Sequence, residues 1–389
     1  MIFYTKTYQL MNKNTVILES EITFTTVSTQ KKPVVSGIQT TFLKPNLMPF
    51  GFITIEQWAS QRLLSTQRMD VQRLFAILGV HDTFEYIEIF HAVSVNDTFW
   101  VRVKGTNDKW ECVSPYTNEI DERIRYYAFT QTWDEKLSPG RVTPEYTTGG
   151  TFAKCWQRSN DKLYLCKYGS SGCKNTGLEP YSELYACQVA EALGIKHYTK
   201  YDLHTHNNRV YSKCKLFTNE KIGMISVDHL LSTANVKLSS YIDVYKWLLQ
   251  QNIANLTEDF SAMMVLDSLI MNVDRHLGNI SVMFDNDTLH FQRLAPVYDN
   301  NLALLPYWSD TDETLEAYMQ KHSVNKDIVS KFGDDFVTLG KTFMTEQLHK
   351  RLLTMRNFEF KPVGRYNLST SRLKALSALV RKQVNAILY

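Results

Sequence analysis

The first part of the chain alternates between strand-like and helix-like patterns of apolar residues. Residues 1 to about 50 alternate like strands, with segments at residues 8–11, 16–18 and 22–24, and the polar run at residues 12–14 predicts a hairpin turn. Apolar residues then recur at three- and four-residue spacing, which predicts helices over residues 54–78 and 83–90. A strand is predicted at residues 99–103. These elements indicate a small mixed α/β region without clustered chemistry.

A proline and glycine break at residues 138–140 separates this region from a second pattern. Short strands are predicted over residues 152–157, 162–168 and 210–217. An amphipathic helix is predicted over residues 183–193, before the last of these strands. The second region is therefore expected to be a sheet with one helix.

From about residue 227 the chain is mostly helical in pattern. Helices are predicted over residues 241–251 and 256–271, followed by a strand hairpin at residues 280–292. The last helix is expected to start at Ser369 or Thr370 as N-cap. We therefore predict an α+β fold. Its parts are an N-terminal mixed α/β accessory region, a small β-rich lobe and a larger helical lobe, at residues 1–137, 138–222 and 223–389.

Composition narrows the class of protein. The chain has 389 residues, of which 44% are hydrophobic and 21% charged, as in globular proteins with a large core. It has no run of 18 apolar residues and no signal-peptide pattern at its start, so we expect a cytoplasmic protein without a membrane partner. The six cysteines form no CxxC pair, which favours free thiols in a reducing compartment.

Charge is nearly balanced overall but uneven along the chain. The net charge of +3 argues against a general nucleic-acid binder. Residues 341–389, however, contain ten Lys or Arg and two Asp or Glu, a local net charge of 10 − 2 = +8. This basic C-terminal region is either a solvated helical face or a surface that contacts DNA.

A polar loop between an apolar helix and a strand carries the first candidate chemistry. Asp274 is followed five positions later by Asn279, the spacing of a catalytic loop for phosphoryl transfer. The aspartate can accept the proton of a hydroxyl nucleophile, and the asparagine amide oxygen can hold Mg²⁺ without adding charge. The same spacing also suits an Asx-rich turn. Asp299, 20 residues past Asn279 and behind a hairpin, favours the catalytic interpretation because a second Mg²⁺ ligand belongs there.

Residues upstream of this loop could bind a nucleotide. Gly149 and Gly150 lie in a turn between strands, where glycine lets backbone N–H groups approach phosphate oxygens, although a plain hairpin turn has the same pattern. Lys167 lies on a strand among apolar residues and needs a partner, for which Glu183 on the next helix is suited. Lysine on a strand and glutamate on the following helix form the nucleotide clamp of kinases. The connection near Lys215 and Phe217 is a further candidate, for adenine.

The residues together resemble a known family. The string Asp274-Arg275-His276-x-x-Asn279, followed by Leu-Ala-Pro-x-Tyr-Asp ending at Asp299, is similar to the HipA-like kinases. These include the toxin kinase of a bacterial toxin–antitoxin pair and a smaller secreted relative. The segment from Thr147 to Lys154 is similar to the phosphate-binding loop of that family. The resemblance covers most of the chain.

The resemblance implies a two-lobed, kinase-like fold and an ATP- and Mg²⁺-dependent serine/threonine protein kinase. The implied catalytic string is Asp274, Arg275 and His276, and the implied Mg²⁺ ligands are Asn279 and Asp299. The nucleotide-binding residues are expected to be Gly149, Gly150, Thr151, Lys154, Lys167, Glu183, Lys215 and Phe217. Family members can autophosphorylate a serine in the phosphate loop, where this chain has Thr147 and Thr148.

Other functions share parts of this pattern. The Asp-Arg-His-x-x-Asn string is also found in phosphoinositide lipid kinases, and a pseudokinase would use the same fold as a scaffold. The resemblance also implies a protein substrate and a DNA-binding antitoxin as partners, with direct DNA contact through the basic C-terminal region.

Overall fold

The N-terminal part of the chain forms a four-stranded antiparallel sheet. The computed structural model describes residues 2–26, 33–63, 75–76, 79–130, 152–172, 176–325 and 327–389. The strands lie in the order β3-β2-β1-β4 and are β1 (Ile2–Asn12), β2 (Thr15–Thr26), β3 (Val34–Phe42) and β4 (Phe99–Val103). The predicted hairpin turn is present between β1 and β2, with Lys13 at a φ of 49°. Strand β3 lies within the region predicted to be strand-like, but it was not predicted as a separate element, because this edge strand is mostly exposed.

Helix α1 (Ile55–Ser60) is much shorter than predicted. The continuous helix over residues 54–78 is wrong, because a turn follows α1 directly. In this turn Arg62 donates to both carboxylate oxygens of Asp97, at 2.6 and 2.8 Å, and its guanidinium group stacks on Trp58 at 4.3 Å. These tertiary contacts favour the turn over a further helical turn.

Further helices with described bounds follow in the N-terminal part. They are α2 (Thr83–Phe90), which has the predicted bounds, α3 (Trp110–Val113) and α4 (Glu122–Thr130). Asp82 caps α2 by accepting a hydrogen bond from the Glu85 N–H at 2.8 Å. Helix α4 reaches the second sheet, where Phe129 stacks on Tyr168 with ring centroids 4.0 Å apart.

The second sheet is also antiparallel and four-stranded, in the order β5-β6-β8-β7. Its strands are β5 (Lys154–Ser159), β6 (Lys162–Tyr168), β7 (Tyr201–His206) and β8 (Arg209–Lys215). Helix α5 (Glu179–Leu193) packs against this sheet. It begins about one turn before the predicted start, because Pro180 is suited to the first helical turn. It ends at Gly194, whose φ of 77° is the left-handed conformation that terminates helices.

A third, three-stranded sheet connects distant parts of the chain, in the order β11-β10-β9. The strands are β9 (Ile222–Ser226), β10 (Ser281–Asp285) and β11 (Phe291–Leu294). The hairpin of β10 and β11 agrees with the prediction, whereas the pairing with β9 was not predicted. The N-terminal part also contacts this region: Met224 N–H donates to the Asn96 carbonyl at 2.7 Å, and the Thr218 hydroxyl donates to the Val95 carbonyl at 2.6 Å.

The C-terminal part is helical around a large apolar cluster. Its helices are α6 (Val227–Thr233), α7 (Tyr241–Leu249), α8 (Leu256–Ile270), α9 (Leu315–Val324), α10 (Phe336–Thr342), α11 (Glu346–Thr354) and α12 (Thr370–Leu388). Helix α8 is buried along most of its length, and Ser369 caps α12, as one of the two predicted caps. Among the helices described here, none is both long and apolar enough to cross a bilayer.

Candidate active site

The predicted catalytic loop joins helix α8 to strand β10. Helix α8 ends at Met271, whose left-handed φ of 51° turns the chain away, and a 3-10 turn at Leu277–Asn279 leads into β10. Two hydrogen bonds within the loop hold its shape. Asn272 Oδ1 accepts from the Asp274 N–H at 3.1 Å, and Asn279 Nδ2 donates to the Asp274 carbonyl at 3.2 Å. The backbone of Asp274 makes these turn contacts, whereas its carboxylate faces Lys331 at 3.3 Å. The Asx-turn interpretation therefore concerns the backbone atoms of Asp274, and the catalytic interpretation concerns its carboxylate, so the two are compatible.

Arg275 anchors this loop from the inside. Its side chain is 1% exposed and forms a two-bond ion pair with Asp267, at 2.9 and 3.1 Å. The guanidinium group also donates to the carbonyls of Asn279, at 3.1 Å, and Tyr298, at 2.6 Å. Burial opposes the charge, but Asp267 outweighs it and raises the pKa of Arg275. Arg275 therefore ties the loop to the segment that carries Asp299, and its predicted place in the catalytic string stays a prediction.

Lys167 and two carboxylates form a buried ion cluster. Lys167 on β6 is 7% exposed, forms an ion pair with Glu183 on α5, and contacts Asp299 Oδ1 at 2.6 Å. The Ser212 hydroxyl donates to the other oxygen of Glu183. Burial would lower the pKa of Lys167, but Asp299 and Glu183 together raise it, so the ammonium group stays charged. The predicted pairing of Lys167 with Glu183 is present, and the nucleotide-binding role of both residues stays a prediction.

Asp299 is held in a strained backbone conformation, with a φ of 55°. Its N–H donates to the Tyr201 hydroxyl at 3.1 Å, and the neighbouring Tyr298 hydroxyl donates to the Gly278 carbonyl at 3.0 Å. Burial would raise the pKa of Asp299, but the charge of Lys167 lowers it, so the carboxylate is ionised. These contacts fix an anionic side chain between the catalytic loop and Lys167.

These groups surround one cavity of about 490 Å³, a size typical of small-molecule sites. Predicted residues of the nucleotide, catalytic and metal groups all contribute to its lining: Lys154, Lys167, Lys215, Phe217, Asp274, His276, Asn279 and Asp299. Glu183 and Arg275 lie behind these side chains, fully or almost fully buried. The predicted Thr147, Thr148, Gly149, Gly150 and Thr151 lie outside the described residues.

The side chain of His276 shapes the loop. Its Nδ1 accepts a hydrogen bond from the Gly278 N–H at 3.0 Å and caps the 3-10 turn. The ring is therefore held within the loop by the loop's own backbone.

The donor set of the cavity suits Mg²⁺. Asn279 and Asp299 bring an amide oxygen and a carboxylate to the same space. Over the part of the chain that the structure describes, no group of three or more His, Cys, Asp or Glu could hold a metal ion. Mg²⁺ does not need such a group, because it usually takes one or two protein ligands and completes its shell with water and phosphate oxygens.

Several residues of the site were not predicted from the sequence. Asp267 could have been predicted, because an acidic residue in a strongly apolar helix needs a buried partner. Ser212 and Tyr201 lie on strands, where polar residues are common, so their position in the sequence does not indicate a functional site. Asn96 lines the cavity from the N-terminal part, and Lys331 comes from a turn 57 positions after Asp274. No local pattern places either of them at the site.

A family model shows the family to which the chain belongs. The model of the HipA-like C-terminal domain matches residues 141–357, more than half of the 389 residues. The chain belongs to this HipA-like family. The match includes β5 and β6, helix α5, the catalytic loop and Asp299, so the resemblance inferred from the sequence is confirmed.

One curated relative and two solved structures are similar to this chain. The serine/threonine-protein kinase CtkA of Helicobacter pylori is 26% identical over 170 residues, which are 39% of this chain and 50% of CtkA. The match thus spans about half the length of this relative. The solved HipA of Shewanella oneidensis, in a complex with HipB and operator DNA, is 13% identical with a TM-score of 0.50 and covers 98% of this chain and 99% of that one. The crystal structure of CtkA aligns at 18% identity with a TM-score of 0.43, covering 62% of this chain and 92% of CtkA.

The HipA-like architecture confirms the predicted fold class. Antiparallel sheets and a helical C-terminal part form a kinase-like α+β fold over nearly the whole chain. At this level of identity the likeness to HipA concerns the fold, and the chemistry is argued from the site.

Proposed function

We propose that this protein is an ATP- and Mg²⁺-dependent serine/threonine protein kinase. The observation that carries the proposal is the cavity of about 490 Å³, where Lys167, Asp274 and Asp299 meet from three distant parts of the chain. A clamp lysine, a loop aspartate and a metal-binding carboxylate are the groups that phosphoryl transfer requires. The name of CtkA as a serine/threonine-protein kinase supports the same chemistry.

Each residue has a role in this proposal. Lys167, oriented by Glu183, would bind the phosphates of ATP, with Lys154 as a second cation of the lining, and adenine would lie towards Lys215 and Phe217. Asp274 would accept the proton of the acceptor hydroxyl as its oxygen bonds to the γ-phosphorus and the bond to ADP breaks. Asn279 and Asp299 would hold Mg²⁺, which when bound neutralises charge on the phosphates.

The glycine turn completes this proposal on the nucleotide side. We propose that Gly149, Gly150 and Thr151 contact the phosphates through their backbone N–H groups. Thr147 and Thr148 stay candidates for autophosphorylation, in the place of the serine that the family uses.

Two alternative functions share parts of the site. A phosphoinositide kinase would use the same Asp274-to-Asn279 string, but the CtkA relative favours a protein acceptor. A pseudokinase scaffold is disfavoured by Lys167, Asp299 and Asp274, all of which line one cavity. A decayed site has no reason to keep the costly buried pair of Lys167 and Glu183 beside them.

The partners follow from the structural relative. We propose a DNA-binding antitoxin as a partner, as HipB is for the solved HipA of Shewanella oneidensis, and a protein as substrate. Most basic side chains of residues 341–389 are exposed and available for phosphate contact: Lys341, Lys350, Arg351, Arg356, Lys361, Arg365, Lys374 and Lys382. The two exceptions are Arg372, which is buried and donates to main-chain carbonyls, and Arg381, which is half-buried and donates to the Phe358 carbonyl at 2.9 Å.

Glu183→Gln tests the clamp. The variant keeps the size of the side chain but removes one of the two negative charges that hold Lys167. We expect the dissociation constant of Mg-ATP, measured by calorimetry, to rise about tenfold, since hydrogen bonds to charged groups contribute about 1.5–3 kcal/mol. Glu191→Gln, an exposed residue of the same helix, should bind Mg-ATP as the parent does. Equal affinity for Mg-ATP in both variants would mean that Glu183 does not contribute to nucleotide binding.

Asp299→Asn tests the metal site. An amide is a weaker ligand than a carboxylate, so Mn²⁺ binding, followed by electron paramagnetic resonance in the presence of ADP, should weaken about tenfold or more. Activity should fall about 100-fold or more, because the metal supplies several kcal/mol of transition-state stabilisation. Asp202→Asn, exposed on β7, is the matched control. Unchanged Mn²⁺ affinity in the Asp299 variant would place the metal elsewhere.

The experiment that tests the proposed function compares acceptors. The protein is incubated with Mg-ATP and either a mixture of proteins or phosphoinositide vesicles, and ADP release is measured with and without EDTA. We expect ADP release that depends on Mg²⁺ and on the protein acceptor. Release that depends on the vesicles would favour the lipid kinase.

A further inference from the structure

Lys331 lies next to the proposed catalytic carboxylate. Its Nζ is 3.3 Å from Asp274 Oδ1, although the two residues are 57 positions apart. The lysine side chain is 51% exposed and that of Asp274 is 27% exposed. An ion pair this open to water contributes little to folding stability. Its contact with Asp274, a residue of the cavity lining, is therefore better explained by a role in the chemistry.

The turn that carries Lys331 is fixed to the catalytic loop. The turn spans residues 330–334. The Ser330 N–H donates to the Asp334 carbonyl at 2.8 Å, and the Asp334 N–H donates to the Ser330 hydroxyl at 3.0 Å. Phe332 packs edge-on against Tyr241 with ring centroids 4.7 Å apart. The hydroxyl of Tyr241 donates to the carbonyl of Arg275 at 2.7 Å. One tyrosine thus holds both the lysine turn and the residue next to Asp274, which fixes their relative position.

The basic side chains of the catalytic loop have other partners. His276, two positions after Asp274, caps the 3-10 turn, where its Nδ1 accepts from the Gly278 N–H at 3.0 Å. Arg275 pairs with the buried Asp267. Lys167, the buried cation of the cavity, already pairs with Glu183 and Asp299. The cation that contacts the loop aspartate therefore comes from the separate turn of Lys331.

We propose that Lys331 is a positioning residue of the phosphoryl transfer. Its ammonium group holds Oδ1 of Asp274, which leaves Oδ2 directed at the acceptor hydroxyl. A carboxylate oriented in this way is ready to take the hydroxyl proton when the oxygen attacks the γ-phosphorus. This inference rests on the proposed kinase function and adds a residue that the catalytic motif does not contain.

The test uses the full chain and three variants. In Lys331→Met we expect kcat for phosphate transfer to fall about tenfold, with KM for ATP within about twofold of the parent. The midpoint of thermal unfolding should not change, because the pair is exposed. Lys331→Arg should restore most of kcat, since it keeps the charge. Lys246→Met, an exposed lysine of helix α7, is the matched control and should match the parent.

The outcomes separate this inference from the proposed function. If the parent transfers phosphate and Lys331→Met transfers it equally fast, the positioning role is wrong and the kinase function stands. A joint loss of kcat, ATP affinity and thermal stability in Lys331→Met would show a structural role and would also overturn the inference. A parent that binds Mg-ATP but transfers no phosphate would overturn both.

Discussion

Asp274→Asn is expected to abolish phosphate transfer while ATP still binds. An amide has nearly the shape of a carboxylate but cannot accept the proton of the acceptor hydroxyl. The loop should persist, because its internal hydrogen bonds use the backbone N–H and carbonyl of Asp274. General-base catalysis contributes about 10²–10⁴-fold, so we expect kcat to fall by about 10³-fold. ADP release gives kcat, and calorimetry gives the affinity for Mg-ATP.

Asp161→Asn is the control for this experiment. Asp161 is exposed in the turn between β5 and β6, at a φ of 58° that asparagine adopts readily. This variant should transfer phosphate at the rate of the parent. If Asp274→Asn also kept that rate, another group would have to accept the proton, and the catalytic assignment of the loop would be wrong.

Arg275→Met is expected to have the largest effect on stability. The change leaves Asp267, which is 1% exposed, as an unpaired buried carboxylate. It also removes the donor to the carbonyls of Asn279 and Tyr298. Breaking a buried ion pair by removing one partner costs about 3–5 kcal/mol. We expect the urea midpoint of unfolding to fall accordingly, with loss of activity because the loop and Asp299 are no longer joined.

Lys350→Met provides the contrast. Lys350 pairs with Glu346 along helix α11, but the two side chains are 71% and 83% exposed, so water already screens their charges. The midpoint of unfolding should stay that of the parent. A loss in Arg275→Met as small as in Lys350→Met would mean that the Asp267 pair does not hold the catalytic loop.

Elements with local signals could be predicted from the sequence. The hairpin turn at residues 12–14, helix Thr83–Phe90 and strand Phe99–Val103 lie where the pattern placed them, because turn residues, an N-cap and an apolar run act over a few positions. The catalytic loop is also local, since Asp274 and Asn279 meet within a single turn. Spacing alone could therefore predict the turn, whereas the catalytic interpretation also needed Asp299, 20 residues past Asn279.

Features that depend on distant contacts could not be predicted. The helix after Thr54 ends early because Arg62 forms an ion pair with Asp97. Strand β9 pairs with β10, which lies more than 50 positions later in the chain. Lys331 reaches Asp274 only once the helical part is packed. The sequence supplied the candidates for the site, and tertiary packing decided which of them share the cavity. Their roles stay predictions until the variants are measured.

The most direct test follows labelled phosphate from ATP into protein. The parent is incubated with Mg²⁺ and ATP labelled at the γ-phosphate, together with a protein acceptor mixture, and the protein-bound label is assigned by phosphoamino-acid analysis. We predict label on serine or threonine that EDTA abolishes. No label on protein, at a Mg-ATP concentration that saturates the parent in calorimetry, would contradict the account and leave a nucleotide-binding scaffold.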